Sequence, residues 1–347
     1  MNRKGAPLMA TLKDISNKTG FSVTTVSRAL NGYDDVNEET RQLIIKAAKQ
    51  LNYSPNLLAQ NLVKKNSKTI GIIVSDLKKE SVKDNFMFET LCGVSDNLST
   101  TEYEFVLLST TTVKQKNKTY TQICSERQLA GTIIQGLKID DPYLKEAEKS
   151  DIPAVLIDIP IHGKAIKYVT SNQYESVKTA IRYLKRLNHQ HIAFMSGSKN
   201  AYVSQIRKQG YLEALKELDL EVNPRYIVSG DYTEEGAKKA VLPLLLNTPE
   251  VTAIFCASDV MALGVIQVAR ELGIKIPEHL SVIGFDNILL SEYITPSLTT
   301  IAQFPYVMGK EAASLLIDLI EGRENPQSFI EIKNELIIRQ STALLQK

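Results

Sequence analysis

Residues 19–41 read TGFSVTTVSRALNGYDDVNEETR. Ser22 stands at a natural helix start, because its hydroxyl can accept from the backbone N–H groups that a first helical turn leaves free. A helix from Val23 to Leu30 then turns Val26 and Leu30, at i and i+4, onto one apolar face. Its other side carries small hydroxyls and one guanidinium: Val23, Thr24, Thr25, Ser27 and Arg28. Working outward, Thr11 is placed to cap a helix running through Thr19, with Leu12 and Ile15 inward, and Gly20-Phe21 makes the turn between the two. Downstream, Asn37 is placed to cap a third helix, Glu38 to Leu51. Two short helices joined by a turn of a few residues have the geometry of a helix-turn-helix.

Charge singles out the same region. The 347-residue chain has a net charge of only +2. Residues 1–65 hold ten Lys/Arg against five Asp/Glu, a local +5, while the remainder holds 31 against 34, or −3. A basic module on a mildly acidic body points to a polyanionic partner for the first 65 residues, although an uneven surface would give the same count. Cys92, Cys124 and Cys256 are far apart and odd in number, which argues against a disulfide framework and fits a reducing cytoplasm. The N-terminus has no apolar signal region, and no run of 18 apolar residues exists to span a membrane. Residues 1–8 read as a flexible arm, a tag or an over-long start.

After Lys65 the pattern changes. Apolar runs at 69–76, 104–110, 131–136, 153–159, 191–197, 225–231, 252–259 and 281–287 lack strict alternation, as buried parallel strands do. Segments of helical length lie between them, among them 173–188, 204–219 and 260–273. The expected fold is therefore an all-α helix-turn-helix headpiece followed by an α/β core of two doubly wound parallel-sheet lobes. Ligands of such sheets sit at the carboxyl ends of the strands. Asp158, Tyr232, Ser258 and Asp286 end or follow predicted strands, and Ser204 and Arg207 open the segment after another. Carboxylates that accept from adjacent hydroxyls, a guanidinium that donates as a fork and an aromatic face suit a polyol. Singly, each residue has a plainer role: Asp286 as a loop cap, Arg207 in a surface pair, Tyr232 as a packed side chain.

A capped surface helix with solvated hydroxyls would also carry the pattern of residues 22–31. The order of the whole segment, TLKDISNKTGFSVTTVSRALNG followed by VNEETRQLIIKAAKQLNYSPNLLAQNLV, resembles the DNA-binding headpiece of the LacI/GalR family of bacterial transcription regulators. The likeness runs on through a core that resembles a type I periplasmic binding protein. It implies a headpiece over 1–54, a hinge helix and linker over 55–66, and an effector-binding and dimerisation core over 67–347. The first lobe would take about 67–165 and 297–325, the second about 166–296 and 326–347. By the resemblance, Val23, Thr24 and Arg28 fall at base-reading positions, Ser22, Thr25, Ser27 and Asn31 at phosphate- or backbone-contacting ones, and Thr11 is a further DNA-binding position. In SPNLLAQNLVKK (54–65), Leu62 matches a leucine that wedges into the minor groove, with Asn56 and Ala59 as neighbouring contacts.

For the core, the resemblance makes Arg207 and Asp286 the principal effector pair. Tyr232 becomes a stacking ring, and Ser204, Ser258 and Asp158 further pocket positions. Phe86 and Met87, in DNFMFETLCG, would line the other lobe where relatives carry NPFF; here Asn85 replaces the proline and Met87 the second aromatic. The implied protein is a cytoplasmic repressor of carbohydrate-utilisation genes, a homodimer on palindromic double-stranded operator DNA, controlled by a sugar or sugar phosphate. The tail IIRQSTALLQK has no sustained heptads, so a two-fold dimer is expected rather than a tetramer. Purine- or nucleoside-responsive control and a phosphorylated carrier protein as corepressor are the alternatives within the class. A sugar-binding transport protein shares the core but not the basic headpiece. An enzyme has little support: there is no nucleophile elbow, no GxGxxG and no GxxxxGK[ST], and no metal or cofactor is expected.

Overall fold

A computed structural model describes residues 10–51, 53, 67–75, 85–323 and 326–346. Residues 1–8 and the hinge positions Asn56, Ala59 and Leu62 lie outside the described residues. The chain divides into two compact units, Met1–Ser67 and Lys68–Lys347.

In the first unit, α1 (Leu12–Thr19), α2 (Val23–Leu30) and α3 (Glu38–Gln50) start where the sequence places their caps. Thr11 and Asp14 form a reciprocal capping box, and Ser22 and Asn37 accept from the backbone N–H groups of Thr25 and Thr40. Gly20 ends α1 at φ 79°, a left-handed conformation that a Cβ would disfavour. Ile15, Val26, Ala29, Val36, Ile44, Ala47 and Ala48 form the core, with Leu12, Phe21, Leu30, Leu51 and Tyr53 packed on it.

The second unit holds two six-stranded sheets with the same pattern of strand order. The first lobe is built from β1 (Thr69–Ser75), α4 (Phe86–Leu98), β2 (Glu104–Thr110), α5 (Thr112–Asn117), α6 (Tyr120–Glu126), β3 (Gly131–Gln135), α7 (Pro142–Lys149), β4 (Ala154–Ile157) and β5 (Ile166–Ser171). The second is built from α8 (Gln173–Arg186), β6 (Ile192–Ser196), α9 (Tyr202–Glu217), β7 (Ile227–Ser229), α10 (Glu234–Asn247), β8 (Ala253–Cys256), α11 (Asp259–Glu271), β9 (Ser281–Asp286), α12 (Leu289–Tyr293) and β10 (Thr299–Ala302). Then α13 (Pro305–Ile320) returns to the first lobe, and β11 (Phe329–Ile332) and β12 (Glu335–Ile337) complete one sheet each. The orders are β11-β5-β4-β3-β1-β2 and β12-β10-β9-β8-β6-β7, parallel except where β12 runs against β10. Ile72, Ile133 and Val155 pack under α13, whereas Phe194, Phe255 and Phe285 centre the second lobe.

The lobe boundaries expected from sequence, at 165/166 and 296/297, fall too early. β5 pairs with β4 in the first sheet and β10 with β9 in the second, so the chain changes lobe after these strands, not before them. Residues 329–332, expected in the second lobe, pair with β5 in the first. The three crossovers therefore run through 171–173, 302–305 and 332–335. No helix among the described residues is long and apolar enough to cross a membrane.

Candidate functional site

The headpiece presents its site on α2. Val26 and Ala29 are buried, which fixes the helix rotation and turns Val23, Thr24, Ser27 and Arg28, at i, i+1, i+4 and i+5, to the other side. Val23 is 43% exposed, an apolar side chain partly open to water. Ser22 Oγ lies 2.8 Å from Thr25 Oγ1, so two hydroxyls cluster at the positive end of the helix dipole, where anions are favoured. Asn31 Nδ2 donates to the Ser27 carbonyl at 2.8 Å and closes the helix. Thr11 is spent on its cap: its hydroxyl donates to Asp14 at 2.7 Å, a bond that holds the Asp14 carboxyl below its usual range.

In the core the strand ends do converge. Arg207, on α9, is 3% exposed. Its Nε donates to Gln173 Oε1 at 2.7 Å, Nη1 donates to the Ala257 carbonyl, and Asp286 Oδ1 lies 3.9 Å from Nη1. The guanidinium lies over the Phe285 ring, 3.6 Å from its centroid. Asp158 accepts from Thr170 Oγ1 at 2.9 Å and from Gln173 Nε2 at 3.2 Å. Burial pushes its carboxyl up, while Thr170 and Arg207 pull the other way. Tyr232 accepts from Ser204 Oγ at 2.9 Å, and burial raises its phenol. A Cβ on Gly197 would stand 2.1 Å from the Tyr232 ring, so the absence of one leaves the place where that ring lies.

Asp158, Tyr232 and Asp286 have φ of 57°, 58° and 111°. Non-glycine residues adopt that region at a free-energy cost, and such strain gathers where a scaffold must aim a side chain at a ligand. Five of the eight sequence-predicted effector residues (Asp158, Ser204, Arg207, Tyr232 and Asp286) are thus joined in one cluster. Ser258 is adjacent as the N-cap of α11 and accepts from the Met261 N–H at 3.3 Å. Phe86 and Met87 open α4 on the first lobe, half-buried against its apolar cluster, and are placed by that core rather than by the polar network.

Sequence reasoning missed the residues that tie the cluster together. Gln173 Nε2 reaches Asp158, Ser171 Oγ (2.8 Å) and Gln303 Oε1 (2.9 Å), and Gln303 Nε2 donates to Asp286 at 2.7 Å. Asn334 Nδ2 donates to Ser171 at 3.1 Å, so all three crossovers meet in this network. Asp259 is fully buried beneath it, accepting from Thr300 Oγ1 at 2.6 Å and the Ile288 N–H at 2.9 Å. Burial, and then the Asp286 charge, hold its carboxyl well above the usual range. On the first lobe, Ser75 Oγ and Gln135 Oε1, at the carboxyl ends of neighbouring strands, are buried without a hydrogen-bond partner among the described residues. A cavity of about 430 Å³ lined by Lys68, Tyr103, Glu321 and Arg323 opens at the other end of the first sheet, where β1 and β2 begin, away from this chemistry. Among the described residues no group of three or more His, Cys, Asp or Glu side chains is placed to hold a metal.

Comparison with known proteins bears on both sites. Residues 11–56 match the family of bacterial regulatory proteins, lacI family, and residues 181–342 match the periplasmic binding protein-like domain. The chain is 34% identical to the HTH-type transcriptional repressor CytR of Escherichia coli K12 over 345 residues, 99% of this chain and 100% of that one. It is 33% identical to the HTH-type transcriptional repressor PurR of Vibrio vulnificus over 335 residues, 96% of this chain and 98% of that one. A transcriptional regulator CelR–cellobiose complex superposes with a TM-score of 0.74 at 28% identity, covering 96% of this chain and 99% of that one. The lac repressor dimer bound to operator and the anti-inducer ONPF superposes with a TM-score of 0.82 over 97% of this chain and 100% of that one. Its identity is 24%, a likeness of fold alone.

Proposed function

Because this chain belongs to the lacI family of bacterial regulatory proteins, we infer that its two units have complementary roles. The headpiece reads operator DNA, and the core cleft takes the small molecule that controls the reading. The protein is a DNA-binding transcriptional repressor and not an enzyme. It acts as a two-fold dimer on a palindrome, and a lac repressor has been seen as a dimer bound to operator. On α2, Val23 meets a thymine methyl, Thr24 and Arg28 read base edges, and Ser22, Thr25, Ser27 and Asn31 hold the backbone. Thr11, at the start of α1, serves DNA binding through the cap that sets this helix. In the hinge, Leu62 wedges between base pairs from the minor groove, with Asn56 and Ala59 as neighbouring contacts, so Leu62→Ala weakens specific binding and leaves effector affinity intact.

The effector reading rests on one observation: Asp158, Arg207, Tyr232 and Asp286 gather in one polar cluster, three of them in left-handed backbone. Two carboxylates and one guanidinium accept and donate to hydroxyls but leave a net negative site, which disfavours a phosphate. A neutral sugar therefore fits better than a sugar phosphate, and the CelR likeness is to a complex with cellobiose. The ring of Tyr232, set against Gly197, also favours a second reading, a nucleoside whose base stacks there while its ribose takes the polar groups. Ligand and operator are linked because the ligand binds the two arrangements of the lobes with different affinity.

The test is selection from random duplex DNA by the purified protein at one fixed salt concentration, with and without neutral sugars, sugar phosphates, nucleosides and purines. A palindrome whose enrichment changes with one neutral sugar or nucleoside is the expected result. Enrichment that responds only to a phosphorylated compound would overturn the effector chemistry, and no enriched palindrome under any condition would overturn the DNA reading.

A further inference from the structure

The headpiece carries two acidic residues, Asp34 and Asp35, just beyond its reading helix, although every phosphate contact calls for the opposite charge. Asp35 is not loosely placed. Its loop is pinned on both sides: Val36 is buried in the headpiece core, and Arg41 Nη2 donates to the Tyr33 carbonyl at 2.9 Å and to the Val36 carbonyl at 3.3 Å. The Tyr33 N–H also donates to the Arg28 carbonyl at 3.1 Å, which ties this loop to the end of α2. The carboxylate then meets Arg28 edge-on. Nε donates to Oδ1 at 3.1 Å and Nη2 reaches Oδ2 at 2.5 Å. The Tyr33 ring lies against the guanidinium, 4.9 Å from Cζ to centroid.

The geometry decides which edge of Arg28 is left. A guanidinium has five N–H bonds in a fixed plane. Asp35 takes the Nε–Nη2 side and leaves three N–H bonds on the Nη1–Nη2 end, the edge whose two parallel donors match guanine O6 and N7. We propose that Asp35 is a specificity-determining residue of the DNA-reading helix: its bidentate contact fixes Arg28 with the Nη1–Nη2 edge presented to a guanine, and its charge penalises contacts that do not return that match. This deepens the reading of Arg28 as a base reader and rests on it.

Two effects act in the same direction. An arginine already held loses less side-chain freedom on binding, so the right base is favoured. A carboxylate near the sugar–phosphate surface opposes binding to any sequence, which lowers the non-specific background. Removing Asp35 frees Arg28 to swing onto a phosphate. Affinity for random DNA then rises, while discrimination at one base falls.

The experiment uses the full chain and the palindrome it selects. Wild type, Asp35→Ala, Asp35→Asn and Arg28→Ala are titrated with that duplex, with duplexes changed at each half-site position, and with random duplex over a range of salt. Asp35→Ala is expected to lose roughly tenfold of the preference for guanine at the one position that Arg28→Ala also flattens, the scale of one bidentate base contact. Its affinity for random duplex rises, and its log–log salt dependence steepens by about one unit, the mark of one added phosphate contact. Asp35→Asn, which keeps an acceptor but not the charge, falls between the two. If Asp35→Ala keeps the full guanine preference while specific and random affinities rise together, Asp35 merely competes for Arg28 and the proposal is overturned. If Arg28→Ala flattens no position, the base-reading role of Arg28 falls first, and the proposal with it. Asp35 is exposed, so these variants leave the headpiece core untouched.

Discussion

Two arginines in this protein have the same kinds of neighbour at opposite depths. Arg28 lies in water, its side chain 45% exposed, paired with Asp35 and set against Tyr33. Arg207 lies in the core, its side chain 4% exposed, with Asp286 3.9 Å away, Phe285 beneath it and Gln173 on its Nε. The chemistry is alike, but the consequences differ. An exposed ion pair adds little to stability, so the arrangement at Arg28 is free to serve recognition. A buried guanidinium removed from its partners leaves their charges without compensation in a low dielectric. One site leaves its arginine open to solvent at small structural expense; the other holds its arginine within the buried network of the second lobe.

The largest expected effect follows from that depth. Arg207→Ala should lower the stability of the core by about 3–5 kcal/mol, the range for breaking a buried pair, and abolish the response to the effector. Chemical denaturation and ligand titration read the two separately. Loss of the response with no loss of stability would mean that Arg207 contributes only to the ligand.

A smaller effect is expected from pH. Asp259 keeps its proton to a higher pH in the folded state than the ordinary Asp value near 3.9, because it is buried beside Asp286. Its protonated form is stabilised by folding. That contribution is present in full below about pH 4 and is lost as pH rises through the raised folded value. Asp259→Asn removes it. The wild-type protein should therefore lose stability relative to this variant by up to about 1.4 kcal/mol per pH unit between pH 4 and the folded value, and parallel stability curves would refute the assignment.

At the headpiece the effects shrink. Thr11→Ala removes the capping box of α1 and should lower headpiece stability by about 1 kcal/mol. Arg28→Ala should change stability by no more than about 0.5 kcal/mol while lowering operator affinity, which completes the contrast with Arg207. Thermal melts of the full chain at matched pH measure both.

The same contrast governs what the sequence discloses. The reading face of α2 is local: a cap at Ser22, buried Val26 and Ala29, and polar residues between them follow from helical spacing alone. Asp158 and Asp286 are legible because each ends an apolar strand run. Gln173 and Gln303 are not, because the strands before them are polar. β5 carries Lys167 and Thr170, and β10 begins Thr299-Thr300, whose hydroxyls are bound inside the fold, Thr300 by Asp259. Without those strands the crossovers fall too early, and the amides that bridge the lobes read as ordinary loop residues. Asp35 sits seven positions from Arg28, and only the turn between them brings the two together.

The proposed function turns on one relation, in which ligand binding to the polar cluster of the core controls what the headpiece binds. Asp286→Asn tests it most directly, because the variant keeps the oxygen that Gln303 bonds and removes the charge offered to the ligand, a charge that also faces Arg207 and Asp259. Operator affinity is measured for wild type and Asp286→Asn, alone and with the compound that shifts the wild-type selection. Equal operator affinity without the compound, and a shift in the wild-type protein only, is the predicted result. An equal shift in both proteins would show that control of DNA binding does not pass through this cluster.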